Sequence, residues 1–325
     1  LRKVVFDLKM AEEFAPIQIM GQGARVSQRS GWRRLLDAPS LRNRGRQVES
    51  GTLAVQVWID AVPWRVAAGW AALAGLVAAG VLAEWQSVDV QRVVLLWVLV
   101  DPLWGALWRL VGGRSQVLAL PTGAATTLRL PYLQQGSPAA QLFTLEGNNA
   151  LPYFFRIGAP TLALACIVAF ASGRTALLLT LAAALTAALG WAWRRTWQRP
   201  PLFLQALVTV GLPWLLALWE ADRMAANGFG FPSFFLGLLW TVHHWGELRG
   251  LCLAEDRAAL ALLGLADAGI VVLLILAQTP FWLPVLAILI LPTWLAVVRR
   301  QPLGGCNVWW LSALFVSALA VGQVG

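Results

Sequence analysis

The segment PSFFLGLLWTVHHWGELRGLCLAEDR, residues 232–257, gathers much of what this chain offers for moving a proton or holding an ion. His243 and His244 are its only histidines, and Glu247, Arg249, Glu255, Asp256 and Arg257 follow at the end of the same apolar run. An ionisable cluster entering a membrane-length helix is costly unless it faces protein or water, which makes this stretch a candidate functional site. His243 and Glu247 are four residues apart and share a helical face, so the carboxylate could orient the imidazole or relay a proton. His244 is turned away by about 100°. Adjacent histidines on one helix cannot readily ligate one metal, and with no third histidine a bis-histidine haem is opposed by geometry. A single axial ligand to chlorophyll or haem, from His243 or His244, stays open. So does a polar lining that simply lets this helix pack against its neighbours.

Two further acids lie inside apolar runs. Asp101 sits in VLLWVLVDPLWGALWRL directly before Pro102, whose missing amide frees a carbonyl one turn back, and Arg109 closes the same run. Asp267 is central in ALLGLADAGIVVLL, between Gly264 and Gly269, which permit close helix approach. Lipid-facing anions here would be expensive, so at least one of the two acids should be protonated, paired or hydrated, and proton or cation translocation enters as a candidate activity. No serine or cysteine is placed as a nucleophile. Cys166, Cys252 and Cys306 are scattered without CxxC spacing, which indicates neither a metal knuckle nor a disulfide framework.

The elements that must position these groups are membrane helices. Of 325 residues, 58% are apolar and only 13% charged, with mean hydropathy +0.66, which excludes an ordinary soluble domain and indicates a multi-pass membrane protein. The net charge of +9 does not mark nucleic acid, because 10 of the 25 basic residues fall in the first 46 positions and there is no aromatic-basic motif for base stacking. Anionic lipid headgroups fit that distribution. The fold class expected is all-α, a polytopic bundle with spans near 62–83, 93–112, 157–172, 175–193, 201–219, 232–250, 258–277, 279–298 and 303–323. Nine spans place the long N-terminus, Arg109, Arg114, Arg129, Arg194, Arg195, Arg199, Arg249, Arg257, Arg299 and Arg300 on one side. That asymmetry predicts an N-terminus inside and a C-terminus outside a bacterial-type cytoplasmic membrane; an even count would scramble it.

Residues 1–61 form a separate basic region, amphipathic in LRKVVFDLKMAEEFAPIQIM and rich in Gly, Ser, Arg and Gln thereafter. Trp32, Arg33 and Arg34 look like an interfacial anchor, as do Arg194, Arg195, Arg299 and Arg300 at span ends. Gly21 and Gly23 form no GxGxxG, which removes a dinucleotide or P-loop site. The chain opens on Leu1, which implies processing, an alternative start or residues upstream, and no signal-peptide h-region follows. Domain 62–325 is the transmembrane part, broken by a cytoplasmic loop, 113–156, whose Pro121, Pro131, Pro138 and Pro152 forbid one continuous helix although leucines recur through it; it should cap the bundle or bind a partner. Of the 19 tryptophans, Trp58, Trp64, Trp85, Trp108, Trp193, Trp197, Trp219 and Trp240 fall near span ends, where indoles form interfacial belts.

VDPLWGALWRLVGG, with Asp101, and HHWGELRGLCLAEDR, with Glu247, Glu255 and Asp256, stand at the cytoplasmic ends of spans two and six. In number, orientation and the placing of these two segments, the chain resembles the UbiA-type intramembrane prenyltransferases over roughly residues 62–323. That resemblance implies a lipid-open cavity where two aspartate-rich segments hold Mg2+ and an isoprenyl diphosphate, with Asp101, Glu255 and Asp256 as the metal ligands of an active member. This sequence has Gly105 and Arg109 where further carboxylates belong, and no repeated DxxxD. The resemblance therefore implies a divergent relative that has kept the bundle and lost the reaction. The leading functional expectation is a non-catalytic subunit that scaffolds or stabilises a larger membrane complex, photosynthetic or respiratory among the candidates, with lipids and other membrane subunits as partners. A Mg2+-dependent prenyltransferase and a small proton-coupled transporter are the alternatives.

Overall fold

A computed structural model describes residues 55, 65–81, 87–109, 158–197, 201–224, 230–252, 256–299, 301 and 303–323. The structure is 91% helix, and no strand occurs among the described residues. These residues form nine helical rods in chain order. α1 is Ala68–Ala78, and α2 runs Ser87–Val98, through a π-helical stretch at Leu99–Trp104, to Gly105–Leu107. α3 is Ala159–Ser172 and α4 is Arg174–Trp197; α5 runs Leu202–Ala206, a π stretch Leu207–Gly211, and Leu212–Met224. α6 is Phe231–Cys252 and α7 Arg257–Leu276. α8 is Leu283–Val298 after a 3-10 turn at Pro280–Trp282, and α9 is Asn307–Gly322 after a 3-10 turn at Leu303–Cys306.

The rods overlap the apolar runs of the sequence, α1 over only half of its expected length, and six among the described residues are long and apolar enough to cross a membrane by length and composition: α2, α4, α5, α7, α8 and α9. α1 and α3 are shorter apolar helices. α6 has 22 residues and is absent from the six, because its histidines, Glu247 and Arg249 dilute its hydropathy. α6 buries His243, His244 and Glu247 but turns Phe231, Phe234 and Leu238 outward, as its neighbours do with Phe170, Leu178, Leu185, Leu265, Leu276, Ile288 and Val298. An all-helical bundle with apolar outer faces is what hydrocarbon demands, since every backbone amide must be satisfied within its own segment. The chain is a membrane protein of the helical class. Residues 1–54, including Trp32, Arg33 and Arg34, and the 113–156 loop lie outside the described residues.

α1 is the hinge of the packing. Its 11 residues are mostly Ala and Gly and mostly buried, and at about 1.5 Å per residue it reaches only half-way across a bilayer core. One of its faces, Ala71, Ala74 and Ala78, joins the apolar core shared with α5, α6, α7, α8 and α9. The other, Ala68, Ala72 and Leu76, joins the core shared with α2 to α5. Small side chains let both halves approach one axis. Trp214 of α5 lies against α6 at Gly237, where an added Cβ would meet the indole Cδ1 at 2.2 Å, so no larger residue fits while the indole stays. Between α3 and α4 the chain turns at Gly173, φ 129°, a conformation that L side chains rarely adopt.

Candidate functional site

The expected partnership of His243 with Glu247 is not the one formed. His243 Nδ1 stands 3.1 Å from Asp267 Oδ1 on α7, and the second oxygen of Asp267 accepts a hydrogen bond from Trp294 Nε1 of α8 at 3.0 Å. Glu247 instead turns to His244, three residues back, with Oε2 2.7 Å from Nδ1. All four ionisable side chains are buried, His243 to 1% and Glu247 to 3% exposure. Spacing allowed both i,i+3 and i,i+4 pairs on α6. α7 decides between them, because it packs along the His243 side and offers an acid at the right height. Gly246 makes that approach close, with an added Cβ only 3.1 Å from the Ala259 carbonyl oxygen. His244, turned about 100° from His243 on the helical wheel, thus also has a carboxylate partner, and Asp267, one of the two mid-run acids, is paired: two histidine-carboxylate pairs lie one beside the other.

Around His243 the surroundings are aromatic. Its ring centroid is 4.8 Å from that of Trp240 and 5.5 Å, edge-on, from that of Trp310 on α9. With Nδ1–H directed to a carboxylate, a neutral imidazole presents Nε2 as an acceptor, and this nitrogen is buried without a protein partner. Thr293 Oγ1, Asn307 Oδ1 and Trp310 Nε1 share that condition on the neighbouring α8 and α9. Buried polar atoms are normally hydrogen-bonded, so these four are exceptions along α6, α8 and α9. As an axial ligand to chlorophyll or haem, either histidine would offer Nε2, since each Nδ1 faces a carboxylate, and at His243 Trp240 and Trp310 pack around the ring.

The remaining candidate residues hold helix ends. Asp101 Oδ1 accepts from the backbone N–H of Gly69 at 3.2 Å, satisfying one of the amides left open at the start of α1. The opposite end of α1 is tied in the same manner, the Ser233 hydroxyl of α6 donating to the Ala78 carbonyl at 2.7 Å. Pro102 falls inside the π-helical stretch Leu99–Trp104 of α2. Asp256 precedes α7 and accepts from the Ala258 amide at 2.9 Å, while Arg249 of α6 donates to it from Nε and Nη2, each at 2.8 Å. Burial works to raise the Asp256 carboxyl, but the Arg249 hydrogen bond, the amide and the guanidinium charge outweigh it, and the net direction is down. Arg257 is the first residue of α7, and Arg109 is half-buried at the end of α2.

Glu255 and Arg300 fall outside the described residues. Arg194 and Arg195 lie in the last turns of α4, and Arg299 is exposed just after α8. Asp101 is surrounded by the α2 to α5 core, whereas His243 and Asp267 belong with the other half; no described contact joins the two sites. Among the described residues no three His, Cys, Asp or Glu side chains gather as metal ligands.

Some of the structure was not legible in the motifs. Trp240 is no interfacial anchor: it is fully buried and donates to Ser317 Oγ at 3.0 Å, and Trp108 is nearly as buried. Trp193 and Trp219 are exposed, as a belt requires. Trp104 donates to Thr180, and Trp214 to the Ser233 carbonyl, so several indoles serve as internal hydrogen-bond donors. A cavity of about 330 Å³ opens between α2, α3, α4 and α5, with Glu220 buried in its wall, Arg92 exposed beside it and Leu96 and Leu216 lining it. Glu220 and Arg92 stand in loop-flanking stretches of the sequence, where nothing in their spacing signals that they line one cavity. No family model, no curated protein and no solved structure matches the chain.

Proposed function

We propose that this chain is a non-catalytic integral-membrane subunit that scaffolds or stabilises a larger membrane complex, built on a divergent UbiA-type bundle. Its nine rods support nine spans, with residues 1–61 and 194–200 on the cytoplasmic side, 220–231 outside, and a bacterial-type cytoplasmic membrane as the setting. The observation that carries the proposal is the employment of the acids. An isoprenyl-diphosphate site needs convergent, water-accessible carboxylates for Mg2+. Here Asp101 holds the start of α1, Asp256 holds the start of α7 and Arg249, and Glu247 and Asp267 are paired with buried imidazoles. Each acid is directed to a structural partner. The broad apolar outer faces and the basic N-terminal region then serve as surfaces for lipid and neighbouring subunits.

Native mass spectrometry after mild extraction from the source membrane tests this, the expected result being a stoichiometric protein partner. A solitary chain that consumes isoprenyl diphosphate with Mg2+, and loses that turnover when Glu255 and Asp256 are replaced, would overturn it. The orientation is tested by labelling cysteines introduced at positions 198 and 227, which should react from opposite sides of the membrane. One observation favours a second function, a small proton-coupled transporter: His243 and Asp267 form a titratable pair within the bundle, and Nε2 of the imidazole has no protein partner. Proton uptake by proteoliposomes, lost in His243→Ala, would support it.

A further inference from the structure

Beyond the subunit proposal, the geometry points to a binding site for a membrane-soluble alcohol in the groove between α7 and α8, with the Asp267 carboxylate accepting the hydrogen bond of its hydroxyl. The groove encloses about 410 Å³ and opens to the outside of the bundle. Its walls are Val271, Leu283, Ile290 and Leu291, and its width comes from Ala268 and Ala287, where larger side chains would close it. Val272, Ile275 and Ile288 face outward on the same two helices, so the mouth is on the hydrocarbon side.

Asp267 lies midway along α7 and is one of the groove-lining residues, its side chain 9% exposed. Each of its oxygens has one protein donor, His243 Nδ1 on Oδ1 and Trp294 Nε1 on Oδ2. A carboxylate carries about four lone-pair sites, so acceptor capacity is left over on a group that lines the groove. Among the described lining residues the only other polar side-chain atom, the Trp294 Nε1, is already committed to Asp267. One acceptor among apolar walls selects a head with one donor and no charge, attached to an apolar body that enters from the bilayer. A phosphate headgroup would face a carboxylate with no counter-charge, and a primary ammonium would find one acceptor for its three N–H donors and leave the others unsatisfied against apolar walls. A hydroxyl-headed lipid meets every condition.

The test uses the full chain in nanodiscs and a long-chain primary alcohol carrying a diazirine, with its methyl ether as the analogue that cannot donate. Photolysis should place adducts on groove residues of α7 and α8, and unlabelled alcohol should compete about tenfold or more better than the ether, the size expected for a hydrogen bond to a buried carboxylate. Ala287→Trp, which fills the groove and leaves Asp267 in place, should abolish the adducts, and Asp267→Leu should reduce the alcohol to the level of the ether. Because Asp267→Leu also removes the partner of His243, the comparison of alcohol with ether on the parent protein stands without it. Equal competition by the ether, adducts spread over the outer faces of α3 and α4, or labelling unchanged in Ala287→Trp would each overturn the site. None of these results bears on whether the chain has a protein partner.

Discussion

Replacing His244 by alanine discriminates most sharply between the helical-wheel expectation and the packed bundle. Helical spacing alone makes His244 the dispensable member of the histidine pair. In the structure, His244 Nδ1 is 2.7 Å from Glu247 Oε2, and the two side chains are 7% and 4% exposed. Removing the imidazole leaves a carboxylate buried without that partner, and breaking a buried pair from one side costs about 3–5 kcal/mol. His243→Ala should cost a similar amount by exposing the same weakness at Asp267, with the Trp294 hydrogen bond as partial compensation. The double variant His244→Ala/Glu247→Leu removes the unmatched acid as well, and should recover most of the loss, about 2 kcal/mol or more. Unfolding in mixed micelles by titration with a denaturing detergent, followed by circular dichroism, gives the free energies of the parent, the two histidine variants and the double variant. Should His244→Ala fall within about 1 kcal/mol of the parent, or the double variant be no better than the single one, the buried pair would not be the reason for these residues.

Asp101→Asn keeps an acceptor for the Gly69 amide and should cost less than Asp101→Ala by roughly 1 kcal/mol in the same titration, whereas equal losses would deny the cap. Acid should weaken the α6–α7 connection. The Asp256 pKa is lowered below its ordinary 3.8 in the fold, so its stabilisation is present above that value and lost as pH falls through the lower folded one. Asp256→Asn should flatten that acid limb of the stability profile, and an unchanged limb would remove Asp256 as its source. Gly237→Ala should cost about 1–3 kcal/mol through overpacking on Trp214, which is held by its bond to Ser233. Gly305→Ala, with nothing within 4 Å of the added Cβ, should be neutral, and similar melting of both variants would contradict the close α5–α6 contact.

The sequence by itself determined the helical membrane class and the position of the helices, because a run of apolar residues near membrane length admits no other satisfied backbone. It also marked His243, His244, Glu247, Asp101 and Asp267 as exceptional, since ionisable groups are rare in such runs. Their partners were decided only in three dimensions. His243 had an acid four residues away on its own helix and took one from α7 instead, because helix packing brought Asp267 into reach and left Glu247 to His244. Asp101 had the look of a degraded ligand, and its role as the cap of α1 depends on a helix 32 residues earlier in the chain. Trp240 near a span end carried the same local signal as Trp193 and Trp219, yet it is buried against Ser317, because a tryptophan's surroundings depend on which face of its helix meets a neighbour. Periodicity along one chain shows which residues share a face; what that face meets is set by the packing of helices distant in sequence.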